Sequence, residues 1–101
     1  MTIMIKYARS QALKIIKGIV QNGSLVATTH IREQMVRRNF DMQDVICALQ
    51  NGNIYREPEP HPKSGRWIYS IEGKTVDEDK IRIEADISDD KEKVILITGI
   101  K

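Results

Sequence analysis

The sequence predicts an α+β domain in which N-terminal helices pack on one face of a four-stranded antiparallel sheet. Three observations carry this reading. Apolar residues recur every three or four positions as far as Gly52, they alternate with polar residues beyond it, and Pro58, Pro60 and Pro62 stand at the changeover. With 101 residues, 41% apolar and 30% charged, the chain has material for one hydrophobic core and does not have the composition of a disordered segment. Residues 1–101 are therefore read as a single domain, helical over 1–52 and sheet over 53–101.

The first helix spans Tyr7 to Gln21, where Ala8, Ala12, Ile15, Ile16, Ile19 and Val20 make one apolar stripe. Gly23 is expected to end it as a left-handed cap, and Gly18 to allow close helix packing at a cost of about 1 kcal/mol relative to Ala. Ser24 to Ala27 reads as a short extended connector. Thr28 or Thr29 is a natural N-cap for a second helix from His30 to about Asn39, with Ile31 and Met35 inward. Asp41 starts a third helix with Asp44 in its first turn, and Met42, Val45, Ile46 and Leu49 form its buried side.

Strands are expected near Asn53–Glu57, Arg66–Glu72, Lys80–Ser88 and Lys93–Gly99. Ile81, Ile83, Ala85 and Ile87 share one parity and Lys80, Arg82, Glu84 and Asp86 the other, so this strand is half buried. Val94 to Thr98 is apolar on both parities, which suits a central strand.

Net charge is only +2, but its distribution is uneven. Residues 1–50 carry Lys6, Arg9, Lys14, Lys17, Arg32, Arg37 and Arg38 against Glu33, Asp41 and Asp44, a local +4. The single Cys47 offers neither an internal disulfide nor a cysteine zinc site, which fits a reducing compartment. No apolar run approaches the roughly 18 residues of a membrane span, and the N-terminus lacks a signal-peptide layout, so a cytoplasmic protein is expected.

Two constellations can carry chemistry. On a helical segment His30, Gln34 and Arg38 fall at i, i+4 and i+8 and form a polar stripe beside Ile31 and Met35. Equally, His30 can pack on the sheet and Arg38 can be a solvated helix residue. Arg66, Tyr69, Lys80, Arg82 and Lys101 form the second group, a basic sheet face able to neutralise phosphate. A ladder of cross-strand ion pairs with Glu72, Glu84 and Asp86 accounts for the same residues without a ligand. Trp67, Tyr69 and Ile71 share a parity that suits core better than a stacking platform, because the chain has only five aromatic residues. His61, in the stiff Glu57–Pro62 loop, has no familiar metal-ligand spacing, and no metal or other cofactor is expected.

Thr29-His30-Ile31-Arg32-Glu33-Gln34-Met35 with Arg38, Asp44-Val45, Leu49-Gln50-Asn51-Gly52-Asn53-Ile54, Gly65-Arg66-Trp67-Ile68-Tyr69 with Gly73, and Val94-Ile95-Leu96-Ile97-Thr98 together resemble the bacterial domain-of-unknown-function family 4258. The resemblance covers about residues 25–100. Where relatives commonly carry Ala, Arg and Gly, this chain carries Ile31, Gln34 and Asn39. That family looks like an outlying relative of metal-independent ribonuclease toxins, including RelE-like and motility quorum-sensing regulator toxins. The resemblance implies a RelE-like arrangement and an endoribonuclease that cleaves RNA by 2′-hydroxyl attack. It also implies an antitoxin partner. In this expectation His30 is base or acid, Arg38 and Arg66 clamp phosphate, and Lys101 is a further cation or acid. Gln34, Arg37, Lys80 and Arg82 bind substrate. A non-enzymatic RNA- or protein-binding module, or a plain structural adaptor, remains the alternative.

Overall fold

The computed structural model describes residues 5–101, folded into three helices against a five-stranded sheet. Helices α1 (Arg9–Asn22), α2 (Thr29–Arg38) and α3 (Met42–Asn51) accompany strands β1 (Ser24–Ala27), β2 (Glu59–Pro60), β3 (Trp67–Lys74), β4 (Lys80–Ile87) and β5 (Lys93–Ile100). The spatial order is β1-β5-β4-β3-β2.

Two features correct the four-stranded antiparallel expectation. The Ser24–Ala27 connector is a strand, and it pairs parallel with β5 from Ser24–Lys93 to Ala27–Leu96. Only the pairings among β2, β3, β4 and β5 are antiparallel. The helical half therefore lends an edge strand to the sheet. The strand expected at Asn53–Glu57 shrinks to one antiparallel bridge between Asn53 and Glu72. Its place at the edge goes to Glu59–Pro60, two residues opposite Ile68 and Trp67. Proline cannot donate to a ladder, so it sits at the sheet edge and keeps this strand short.

Capping fixes the helix starts. The Thr28 hydroxyl accepts from the Ile31 amide and donates to the Leu96 carbonyl, joining the start of α2 to β5. Asp41 and Asp44 form a reciprocal capping box at α3, with each carboxylate accepting from the other residue's backbone amide. Asn39 ends α2 in the left-handed conformation, φ 54° and ψ 58°. Gly23 differs from its expected role: its backbone is extended, because the chain passes straight into β1. What excludes a side chain there is a close approach, since a Cβ would lie 2.6 Å from the Glu92 carbonyl oxygen. Gly18 is exposed and a Cβ added there would meet nothing within 4 Å, so the close-packing expectation does not hold.

The core lies between the inner sheet face and the helices. Ile16, Ile31, Val45, Leu49, Tyr69, Ile71, Ile83, Val94 and Leu96 are fully buried, each side chain contributing about 1.5–3 kcal/mol by leaving water. Ala48 replaces Ile46 in the deepest part of α3, because Gly73 of β3 brings the strand up against the Ala48 carbonyl and Asn51. Tyr69 and Ile71 are core, as the parity predicts, and Trp67 packs against it. Strand β5 is central as predicted, flanked by β1 and β4. A bulge interrupts the β4–β5 ladder: Glu84 faces Thr98 while Ala85 faces Leu96, so Ile97 is the extra residue. Beyond it the buried position passes to Gly99, against which the Phe40 ring is seated.

Candidate functional site

The polar stripe of α2 is turned mainly to the backbone of β5. The last β1–β5 pair is Ala27–Leu96, so the β1 side of β5 beyond that point needs other hydrogen-bond partners. Gln34, 3% exposed, accepts from the Gly99 amide through Oε1 at 2.8 Å. Arg38 donates from Nη1 to the Gly99 carbonyl at 2.7 Å. These two side chains stand in for a missing strand, which assigns them a structural task that the RNA-contact expectation did not include. Arg37 is exposed on the last turn of α2.

The expected convergence of His30, Arg38, Arg66 and Lys101 is divided among separate places. His30 is exposed in the first turn of α2, and Arg38 lies eight helical steps further on, a rise of about 12 Å. Arg66 precedes β3 and Lys101 follows β5. These strands run in the same direction, so the two residues lie at opposite ends of the sheet. Arg66 is also engaged: Nε is paired with Asp86, and Nη2 donates to Asp89 Oδ1 at 3.1 Å and to the Ile87 carbonyl at 3.0 Å. Hydrogen bonds to Asp86, then Asp89, hold its guanidinium charged even beyond the ordinary arginine range. Arg66 is thus the anchor of an ion-pair cluster.

Lys80, Arg82 and Lys101 do come together. They line an open groove of about 740 Å³ at the far end of β3, β4 and β5, with Lys74, Tyr55, Asn51, Asn53, Glu72, Glu78 and Ile100 among its walls. His30, Arg38 and Arg66 are not part of this lining. The register explains the concentration of charge. Lys74 and Lys80 stand directly opposite each other across the β3–β4 pair, an arrangement that is destabilising in a plain surface sheet. In the next row Glu72, Arg82 and Ile100 are aligned across three strands.

The predicted ion-pair ladder does not close along this row. Glu72 is 3.9 Å from Arg56 Nε, and among the described residues no carboxylate lies within 4.0 Å of the Arg82 or Lys80 charge. Arg82 Nε is buried without a hydrogen-bond partner. Lys101 is tethered at the rim: Nζ donates to the Asn39 carbonyl at 3.0 Å and pairs with Asp79 at 3.4 Å. Four cations line the groove with Glu72 and Glu78, and Asp79 pairs with Lys101 at the rim, so an excess of one positive charge is left to receive an anion.

Lys74 and Tyr55 are among the lining residues that the sequence reading did not include. Lys74 could have been found by continuing β3 two residues beyond Glu72, because the hairpin register then sets it against Lys80. Tyr55 lay in a segment expected to be a strand, so its exposure was not visible. Among the described residues no group of three or more His, Cys, Asp or Glu side chains is arranged to hold a metal ion. In the same residues no helix is long and apolar enough to cross a membrane.

A family model described as a domain of unknown function, DUF4258, matches residues 27–98. No curated protein and no solved structure matches the chain. The match begins at the end of β1 and includes α2, α3, β3, β4 and all but the last residues of β5, so the groove and the α2–β5 junction both lie largely within it.

Proposed function

The chain belongs to the DUF4258 family, and from that premise we propose that it is a metal-independent endoribonuclease of the toxin type, acting in the cytoplasm and controlled by an antitoxin protein. The observation that carries the proposal is the basic groove, in which Arg82 has a buried unpartnered Nε and Lys74 opposes Lys80. Such a wall is costly without an anion and suits a phosphodiester. Helices followed by an antiparallel meander also support kinship with RelE-like toxins.

Cleavage requires a base for the 2′-hydroxyl, cations for the charge growing on phosphate, and an acid for the departing 5′-oxygen. In the proposed arrangement Arg82 and Lys80 hold the scissile phosphate. Glu72, directly across from Arg82, takes the 2′-hydroxyl proton. The 2′-oxygen then bonds to phosphorus, the bond to the 5′-oxygen breaks, and Lys101 gives that oxygen a proton. The products are a 2′,3′-cyclic phosphate and a 5′-hydroxyl. His30, outside the groove, has no part in this sequence of steps.

A second reading, RNA binding without cleavage, is favoured by the absence of a histidine from the groove lining. Induced expression in a bacterial host, wild type beside Arg82→Ala, separates the two. The enzyme arrests growth with loss of RNA and the substitution cures both. A binding module leaves RNA intact.

A further inference from the structure

Tyr55 is the exposed aromatic of the basic groove, with 63% of its surface accessible. Aromatic side chains are scarce in this chain, and Tyr7, Tyr69, Phe40 and Trp67 are committed to the core or packed against it. Tyr55 is left on the surface and yet firmly based. Its backbone carbonyl accepts from Arg9 Nη1 at 2.8 Å, and Arg9 Nε is 3.2 Å from Glu57. Two residues earlier, Asn53 exchanges both backbone hydrogen bonds with Glu72, at 3.0 and 2.9 Å, and its side chain donates to the Tyr55 hydroxyl at 3.4 Å. Ile54, 8% exposed, pins the intervening residue into the core.

The row Asn53, Glu72, Arg82 then fixes the spacing. Two steps between neighbouring strands set the Asn53 backbone about 10 Å from that of Arg82. A ring held at the margin of a cationic wall is the arrangement by which single-stranded nucleic acid is gripped: cations follow the backbone while a base lies on the aromatic face. A duplex, whose bases are already stacked on each other, offers no free face to such a ring.

We propose that Tyr55 is a stacking platform for one unpaired base of an RNA strand whose phosphates lie along Lys74, Lys80 and Arg82. This rests on the reading of the groove as an RNA site. It deepens that reading by assigning the substrate as single-stranded and by adding a contact to a base that is independent of the cations.

The test measures binding of wild type, Tyr55→Ala and Tyr55→Phe to a fluorescent single-stranded RNA and to an abasic ribose-phosphate oligomer of equal length, at one salt concentration, after circular dichroism shows each variant folded. Tyr55→Ala is expected to weaken the RNA complex about 5- to 100-fold and leave the abasic complex unchanged, whereas Tyr55→Phe binds both like wild type. Unchanged RNA affinity in Tyr55→Ala overturns the stacking role alone. Equal loss on both oligomers also overturns it, because the tyrosine then acts through the backbone site. A wild type that binds neither oligomer rejects the RNA site and, with it, this assignment.

Discussion

Gln34 holds Gly99: its buried amide oxygen accepts from the glycine's backbone N–H at 2.8 Å, across 65 residues of sequence. Together with Arg38 on the Gly99 carbonyl, it completes the hydrogen bonding of a central strand where β1 has ended. Removing the acceptor strands a buried donor. Gln34→Ala is expected to lower unfolding free energy by about 1–3 kcal/mol in urea titrations. A change below a few tenths of a kcal/mol would mean that the junction contributes little.

Gly18 offers the opposite case. It is exposed, inside α1, and an added methyl would meet nothing within 4 Å. Gly18→Ala is expected to stabilise the protein by about 0.5–1 kcal/mol, seen as a higher melting temperature. A lower one would place an unrecognised packing partner on that face.

Burial pushes the Tyr69 phenol above its ordinary value of 10.0, against the lowering effect of the hydrogen bond it accepts from the Tyr7 amide. A raised folded-state value means that the folded protein holds this proton more tightly than the unfolded chain. The associated stability is fully present below the unfolded value and is lost as pH rises through the folded one. Unfolding free energy is therefore expected to fall above about pH 10. In Tyr69→Phe that part of the slope should disappear, and an unaltered slope would assign alkaline unfolding to other groups.

Much of the fold was legible because it follows from local rules. The α1 stripe, the start of α3 at Asp41 and the parity of β4 each need only neighbouring residues. What escaped depends on distant ones. Ser24–Ala27 is too short to announce a parallel strand, and its partner lies nearly 70 residues later. The candidate site divided along the same line: strand parity put Lys80 and Arg82 on one face but put Arg66 with them, whereas Gln34 and Arg38 fitted a surface stripe until β5 lay beneath them. Arg66 was separated by strand direction, a property of topology that motif spacing does not carry.

Under the proposed function, each cation assigned to phosphate has a salt signature. Lys80→Ala and Arg82→Ala are each expected to weaken RNA binding about equally for different sequences, and to reduce the slope of log affinity against log salt by about 1. Slopes equal to wild type would move the phosphate path off β4.

His30 separates the groove from the helix stripe as the seat of chemistry. His30→Ala is expected to leave cleavage of a defined RNA substrate at the wild-type rate. A fall of about 10²- to 10⁴-fold, the usual weight of a general acid or base, would return the imidazole to the site.

In the proposed function the Lys80–Arg82–Lys101 groove cleaves RNA without a metal. The most direct measurement incubates purified protein with end-labelled single-stranded RNA in excess chelator and identifies the fragment ends. Wild type is expected to leave 2′,3′-cyclic phosphate and 5′-hydroxyl ends, and Arg82→Ala to leave full-length RNA. Intact RNA with wild type, or fragments that require a divalent ion, would contradict it.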